Sequence, residues 1–140
     1  MSRVVEDSNR HLLRARDAMD RSYAEALDIT RLARIAHVSE SHFIRTFRTT
    51  FGETPHRYLQ RRRVERAMFL LWQTDRSVTE ISIDVGFRSL GTFSRTFRDI
   101  MGESPSGYRA RPEIKAVPNC FAMGWMRPSS FGEAARRDEG

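Results

Sequence analysis

Cysteine is nearly missing from this sequence: Cys120 stands alone, which excludes an intrachain disulfide and any site built from several thiolates of one chain. A lone thiol of this kind is expected to be buried or half-buried in a reducing compartment. Lysine is nearly missing too, with Lys115 alone beside 23 arginines, a skew that reads as the trace of a GC-rich genome rather than a functional choice. Long apolar runs are absent. The longest, Ala67 to Trp72, falls far short of the roughly 20 residues that span a bilayer, so no membrane association is expected. The first ten residues carry Arg3, Glu6, Asp7 and Arg10 without an apolar stretch, unlike a secretory signal, and the expected location is the cytoplasm. His11, His37, His42 and His56 have no metal-ligand spacing, and neither a nucleophile elbow nor a phosphate loop occurs. No enzymatic activity, metal or cofactor is therefore expected. With 140 residues there is room for one ordinary domain or two very small lobes that share an element, but not for a catalytic or effector domain beside them.

What is present is arginine in two separated places. Residues 39–66 hold seven arginines against three glutamates, and residues 88–111 hold five against Asp99 and Glu103. These windows carry more than the whole net charge of +6. Two concentrated basic regions suggest two contacts to a phosphate backbone.

The windows are also copies of each other. Phe43, Arg45, Thr46, Phe47, Arg48, Gly52, Glu53, Thr54, Pro55 and Tyr58 recur fifty positions later as Phe93, Arg95, Thr96, Phe97, Arg98, Gly102, Glu103, Ser104, Pro105 and Tyr108. Upstream, Leu32, Ala36, His37 and Val38 answer to Ile81, Val85, Gly86 and Phe87 at an offset of 49. A match of this density is an internal duplication.

Each copy predicts helix, turn, helix. The first helices are expected over about 29–36, capped by Asp28 or Thr30, and over about 79–85. The turns fall at His37-Val38 and Gly86-Phe87, where a positive φ suits glycine and costs histidine more. Ser39 and Ser89 can cap the second helices, expected over about 40–50 and 90–101. In these, Phe43 with Phe47, and Phe93 with Phe97, lie one turn apart and should face the core. The opposite faces then present Ser41, Ile44, Arg45 and Arg48, and Leu90, Gly91, Ser94, Arg95 and Arg98. Small, apolar and arginine side chains suit a groove-reading helix, because arginine can bond guanine edges in pairs and an aliphatic group can meet a thymine methyl.

Gly52 and Gly102 should end these helices, and Thr54-Pro55 and Ser104-Pro105 should start the next. From Pro55 the helical pattern runs to about Thr74, some 28 Å at about 1.5 Å per residue, near the spacing of successive major grooves. The expected fold is all-α: two helix-turn-helix subdomains joined by a long linker helix, about seven helices in all. The subdomains are placed at 8–54 and 75–111 and the linker at 55–74. Residues 8–20 are read as a helix covering the first subdomain. The tail, 112–140, is expected to pack back on the second subdomain through Cys120, Phe121, Met123, Trp125 and Met126, or to serve a partner.

The string Ile81-x-x-x-Val85-Gly86-Phe87, followed by Phe93-x-Arg95-x-Phe97-Arg98-x-x-x-Gly102-x-Ser104-Pro105-x-x-Tyr108-Arg109, resembles the DNA-binding domain of the AraC/XylS family of bacterial transcription regulators. The resemblance covers about residues 9–111, and the length is similar to that of the family's stand-alone members. It implies a regulator of transcription that binds double-stranded DNA as a monomer, with one helix of each unit in successive major grooves, and that activates through RNA polymerase. By position it assigns base reading to Glu40, Ser41, Ile44, Arg45, Leu90, Gly91, Ser94 and Arg95. Phosphate contacts are expected from Ser39, His42, Arg48, Arg61, Arg62, Ser89, Thr92 and Arg98. The sequence departs from the family pattern at His37, commonly glycine, and at Ser82, commonly alanine. A helical interaction module that does not bind DNA would leave Arg45 and Arg95, at equivalent places of both copies, without a use.

Overall fold

The computed structural model describes residues 3–111, and the readings made for the tail lie outside them. Within them stand seven helices and no strand: α1 (Arg3–Arg21), α2 (Ile29–Ile35), α3 (Glu40–Phe51), α4 (Pro55–Gln73), α5 (Val78–Asp84), α6 (Leu90–Met101) and α7 (Pro105–Ala110). The chain divides into two compact units whose boundary falls inside α4, between Gln60 and Arg61.

Unit 1 is built on α1, α2, α3 and the first turns of α4. Leu12, Ala15, Ala18 and Met19 of α1 meet Leu32, Ala33 and Ala36, Phe43 and Phe47, and Tyr58 and Leu59 in one core. Phe47 is its centre: the rings of Phe43, Phe51 and Tyr58 lie 5.6, 4.6 and 5.5 Å away. Burying such a ring stabilises by about 1.5–3 kcal/mol, so this cluster fixes which face of α3 turns inward. Tyr58 is also tied by its hydroxyl, which donates to Asp20 Oδ1 at 2.7 Å. Asp28, not Thr30, caps α2 by accepting from Arg31 N.

Unit 2 repeats the scheme. Phe93 lies 5.2 Å from Phe87 and 5.7 Å from Phe97, which in turn meets Tyr108 at 5.7 Å. Ile81, Val85, Phe93 and Phe97 are fully or almost fully buried, as are Val64, Ala67, Met68 and Leu71 on the later turns of α4. Helix α5 begins one residue earlier than expected because Ser77 and Glu80 form a reciprocal capping box. Arg109, the last residue of the family string, closes the C-terminal end of α4: Nε and a terminal nitrogen donate to the carbonyls of Leu71 and Thr74 at 3.0 and 3.1 Å. These are carbonyls the helix itself leaves unpaired.

Ser39, Ser89, Thr54 and Ser104 each accept a backbone N–H three residues on, as the capping pattern requires. Gly52 and Gly102 close α3 and α6 at φ of 80° and 81°. The two helix-turn-helix turns also use a left-handed residue, Gly86 at φ 102° and His37 at φ 62°.

Candidate nucleic-acid interface

Phe43 and Phe47 are wholly buried, which turns Ser41, Arg45 and Arg48, at least about 100° from both around α3, outward. Glu40, Ser41, Ile44, Arg45 and Arg48 are all exposed. On α6 Leu90, Gly91, Arg95 and Arg98 are likewise exposed, while Ser94 is half-buried. Ile44 and Leu90 keep 40% and 41% of their surface in solvent. Helices otherwise packed on aromatic cores thus each expose an aliphatic group and an arginine, side chains suited to a thymine methyl and to a guanine.

The arginines are oriented, not splayed. A terminal nitrogen of Arg45 lies 3.4 Å from Nδ1 of His42, one turn back. Arg95 instead reaches Thr92, donating to Oγ1 at 3.5 Å, and its other terminal nitrogen passes 3.5 Å from where a β-carbon on Gly91 would stand. That separation is an ordinary van der Waals contact, so a β-carbon at residue 91 would fit beside the guanidinium. Arg48 and Arg98 form no ion pair among the described residues and stand one turn further along the exposed faces.

The residues assigned to phosphates fall in three settings. Ser39, His42, Ser89 and Thr92 are exposed at the first turns of α3 and α6, where backbone N–H groups and the helix dipole favour an anion. The Ser39 and Ser89 hydroxyls already accept the N–H of His42 and Thr92 at 3.2 Å, and Ser89 also donates to Thr92 Oγ1 at 3.0 Å. Arg61 and Arg62 are half-buried on α4. Arg62 sits 2.7 Å from Glu65, whose side chain is only 3% exposed. A buried carboxylate needs such a partner. The charge pattern of the sequence counted Glu65 as one acidic residue among many and did not signal its burial.

Two contributors were not singled out for a role in the interface. Thr30 Oγ1 donates to Glu40 Oε1, joining the start of α2 to the start of α3. His11 of α1 stacks on His37 in the turn, with centroids 4.2 Å apart and planes at 19°. Neither link is readable from spacing along the chain, because each joins different helices. Among the described residues no group of three or more His, Cys, Asp or Glu side chains could hold a metal, and no helix is long and apolar enough to cross a membrane.

Comparison with known proteins finds similar helix-turn-helix domains. Residues 32–111 match the model of a helix-turn-helix domain family. An uncharacterized HTH-type transcriptional regulator of Haemophilus influenzae is 40% identical over 65 residues, covering 46% of this chain and 22% of that protein. The chain spans only 13–36% of the length of curated relatives of this kind. Among solved structures, an AraC-type DNA-binding-domain regulator from Chromobacterium violaceum is similar with a TM-score of 0.68 and 31% identity, covering 75% of this chain and 96% of that one. The DNA-binding domain of AdpA, a global transcriptional factor solved in complex with a target DNA, is similar with a TM-score of 0.66 and 35% identity, covering 71% and 89%.

Proposed function

The chain belongs to the AraC/XylS type of helix-turn-helix family, and on that premise we propose that it regulates transcription by binding double-stranded DNA sequence-specifically. Helices α3 and α6 each enter a major groove, in two adjacent segments of one duplex. The observation that carries this reading is the matched pair of exposed faces, in which Arg45 and Arg95 occupy equivalent positions on helices locked by buried phenylalanines. Arg45 and Arg95 bond guanine O6 and N7, and Ile44 and Leu90 meet thymine methyls. Glu40, Ser41, Gly91 and Ser94 complete the base-reading surface.

Ser39, His42, Arg48, Arg61, Arg62, Ser89, Thr92 and Arg98 hold phosphates and set the register. The protein works in the cytoplasm as a monomer on DNA, activates through RNA polymerase and performs no chemistry of its own. Support for the DNA partner comes from AdpA, whose similar domain was solved with its target DNA.

Salt titration tests the reading. Each phosphate contact releases counterions, so the logarithm of the binding constant should fall by about 0.9 per contact for each tenfold rise in salt. Steep weakening is expected on a specific duplex. A flat response would instead fit a helical module that binds another protein.

A further inference from the structure

The acidic residue at the head of α3 is out of place on a surface meant for DNA. Phosphates repel a carboxylate, and an exposed glutamate would ordinarily sample many rotamers. Here it is held. The Thr30 hydroxyl donates to Glu40 Oε1, and the Glu40 side chain forms no other hydrogen bond among the described residues. A carboxylate only accepts, with two oxygens and about four lone-pair sites, so a single bond to Thr30 leaves Oε2 and part of Oε1 open. Glu40 is exposed at the first turn of α3, as are Ser41, Ile44 and Arg45 further along it.

We infer that Thr30 is a positioning residue that aims the Glu40 carboxylate at the N4 amino group of a cytosine in the segment read by α3. The inference rests on the DNA-reading function proposed above and names one base of its target. Among major-groove edges the cytosine amino group is the donor that a carboxylate recognises, whereas the guanine N7 and O6 acceptors repel it. Fixing the side chain before binding removes the ordering cost and leaves repulsion acting against guanine and thymine, and against the N7 acceptor that adjoins the amino group of adenine. Glu40 therefore gives discrimination rather than affinity.

Unit 2 supplies an internal control. Thr79 stands where Thr30 stands, but the residue opposite Glu40 is Leu90, which offers no acceptor. The threonine has a carboxylate to position in unit 1 alone, so the two segments should differ in kind at this place: a cytosine under α3 and no polar preference under α6.

The test is selection of duplexes from a random pool by the 140-residue protein and four variants, Glu40→Ala, Thr30→Val, Thr30→Ser and Thr79→Val, each checked for helicity by circular dichroism. The wild type should enrich cytosine roughly tenfold at one position of its site. Glu40→Ala and Thr30→Val should abolish that enrichment while other positions stay selected, and Thr30→Ser, which keeps the hydroxyl, should restore it. Thr79→Val should change nothing there. Loss in Glu40→Ala but full retention in Thr30→Val would overturn the role of Thr30. A site with no cytosine position sensitive to Glu40 would overturn the inference altogether, with DNA reading intact. Recovery of no motif by the wild type would instead overturn the proposed function.

Discussion

Unit 1 and unit 2 turn between their helices by the same backbone move, one with His37 at φ 62° and the other with Gly86 at φ 102°. Glycine enters this region freely, whereas a residue with a β-carbon is strained there. Unit 1 compensates with a contact that involves this histidine alone, the stack of His37 on His11. The difference teaches that a duplicated scaffold can keep its geometry while the interactions that enforce it diverge. The exposed faces of α3 and α6 diverge likewise, with Glu40 and Ser41 in one unit and Leu90 and Gly91 in the other, around arginines that match.

The largest expected effects lie in the aromatic cores. Phe47→Ala and Phe97→Ala should each cost about 3–5 kcal/mol, read by urea unfolding, because each removes a fully buried ring. If unit 1 relies on Phe47 more heavily, as its three ring neighbours suggest, its loss should be the larger. Next come Arg45→Ala and Arg95→Ala, each expected to weaken binding to the cognate duplex by roughly 1–3 kcal/mol and random DNA by less. Equal losses on both duplexes would make these arginines backbone contacts.

The turn comparison should give about 1 kcal/mol. Gly86→His is expected to destabilise unit 2 by that order, since it creates left-handed strain with nothing stacked upon it. His37→Gly should gain less in the wild type than in a His11→Ala background, because only in the former does it also remove the stack. A double-mutant cycle on thermal unfolding measures the coupling, and a value of zero would show that the stack contributes nothing.

The smallest effect is on pH dependence. Burial pushes the Tyr108 hydroxyl above its ordinary pKa of 10.0, which means that the folded state favours the protonated form. Its contribution is therefore complete below about pH 10 and is lost as pH rises through the raised value. Tyr108→Phe should flatten the alkaline limb of the stability profile.

Much of this was legible in the chain itself. The fifty-residue repeat, the serine and threonine caps, Gly52, Gly102 and the paired phenylalanines each signal a local feature with a local cause, and the seven helices follow from them. Helix α1 was underestimated: its first residues include Val4 and Val5, which are 73% and 43% exposed, so no core-facing periodicity announced the helix there. Long-range partners were not legible. Glu65 looked like surface charge yet is buried against Arg62, Arg109 counted toward a basic window yet caps α4, and Thr30 looked like a cap yet holds Glu40. In each case a polar side chain has two plausible roles, and only the tertiary neighbour decides between them.

Selection of bound oligonucleotides, run in parallel with wild type, Arg45→Ala and Arg95→Ala, tests the central claim most directly. Two short half-sites about one helical turn, or roughly 10 base pairs, apart are expected, with one variant erasing preference in the first and the other in the second. A single half-site, or two variants that erase the same positions, would contradict the account.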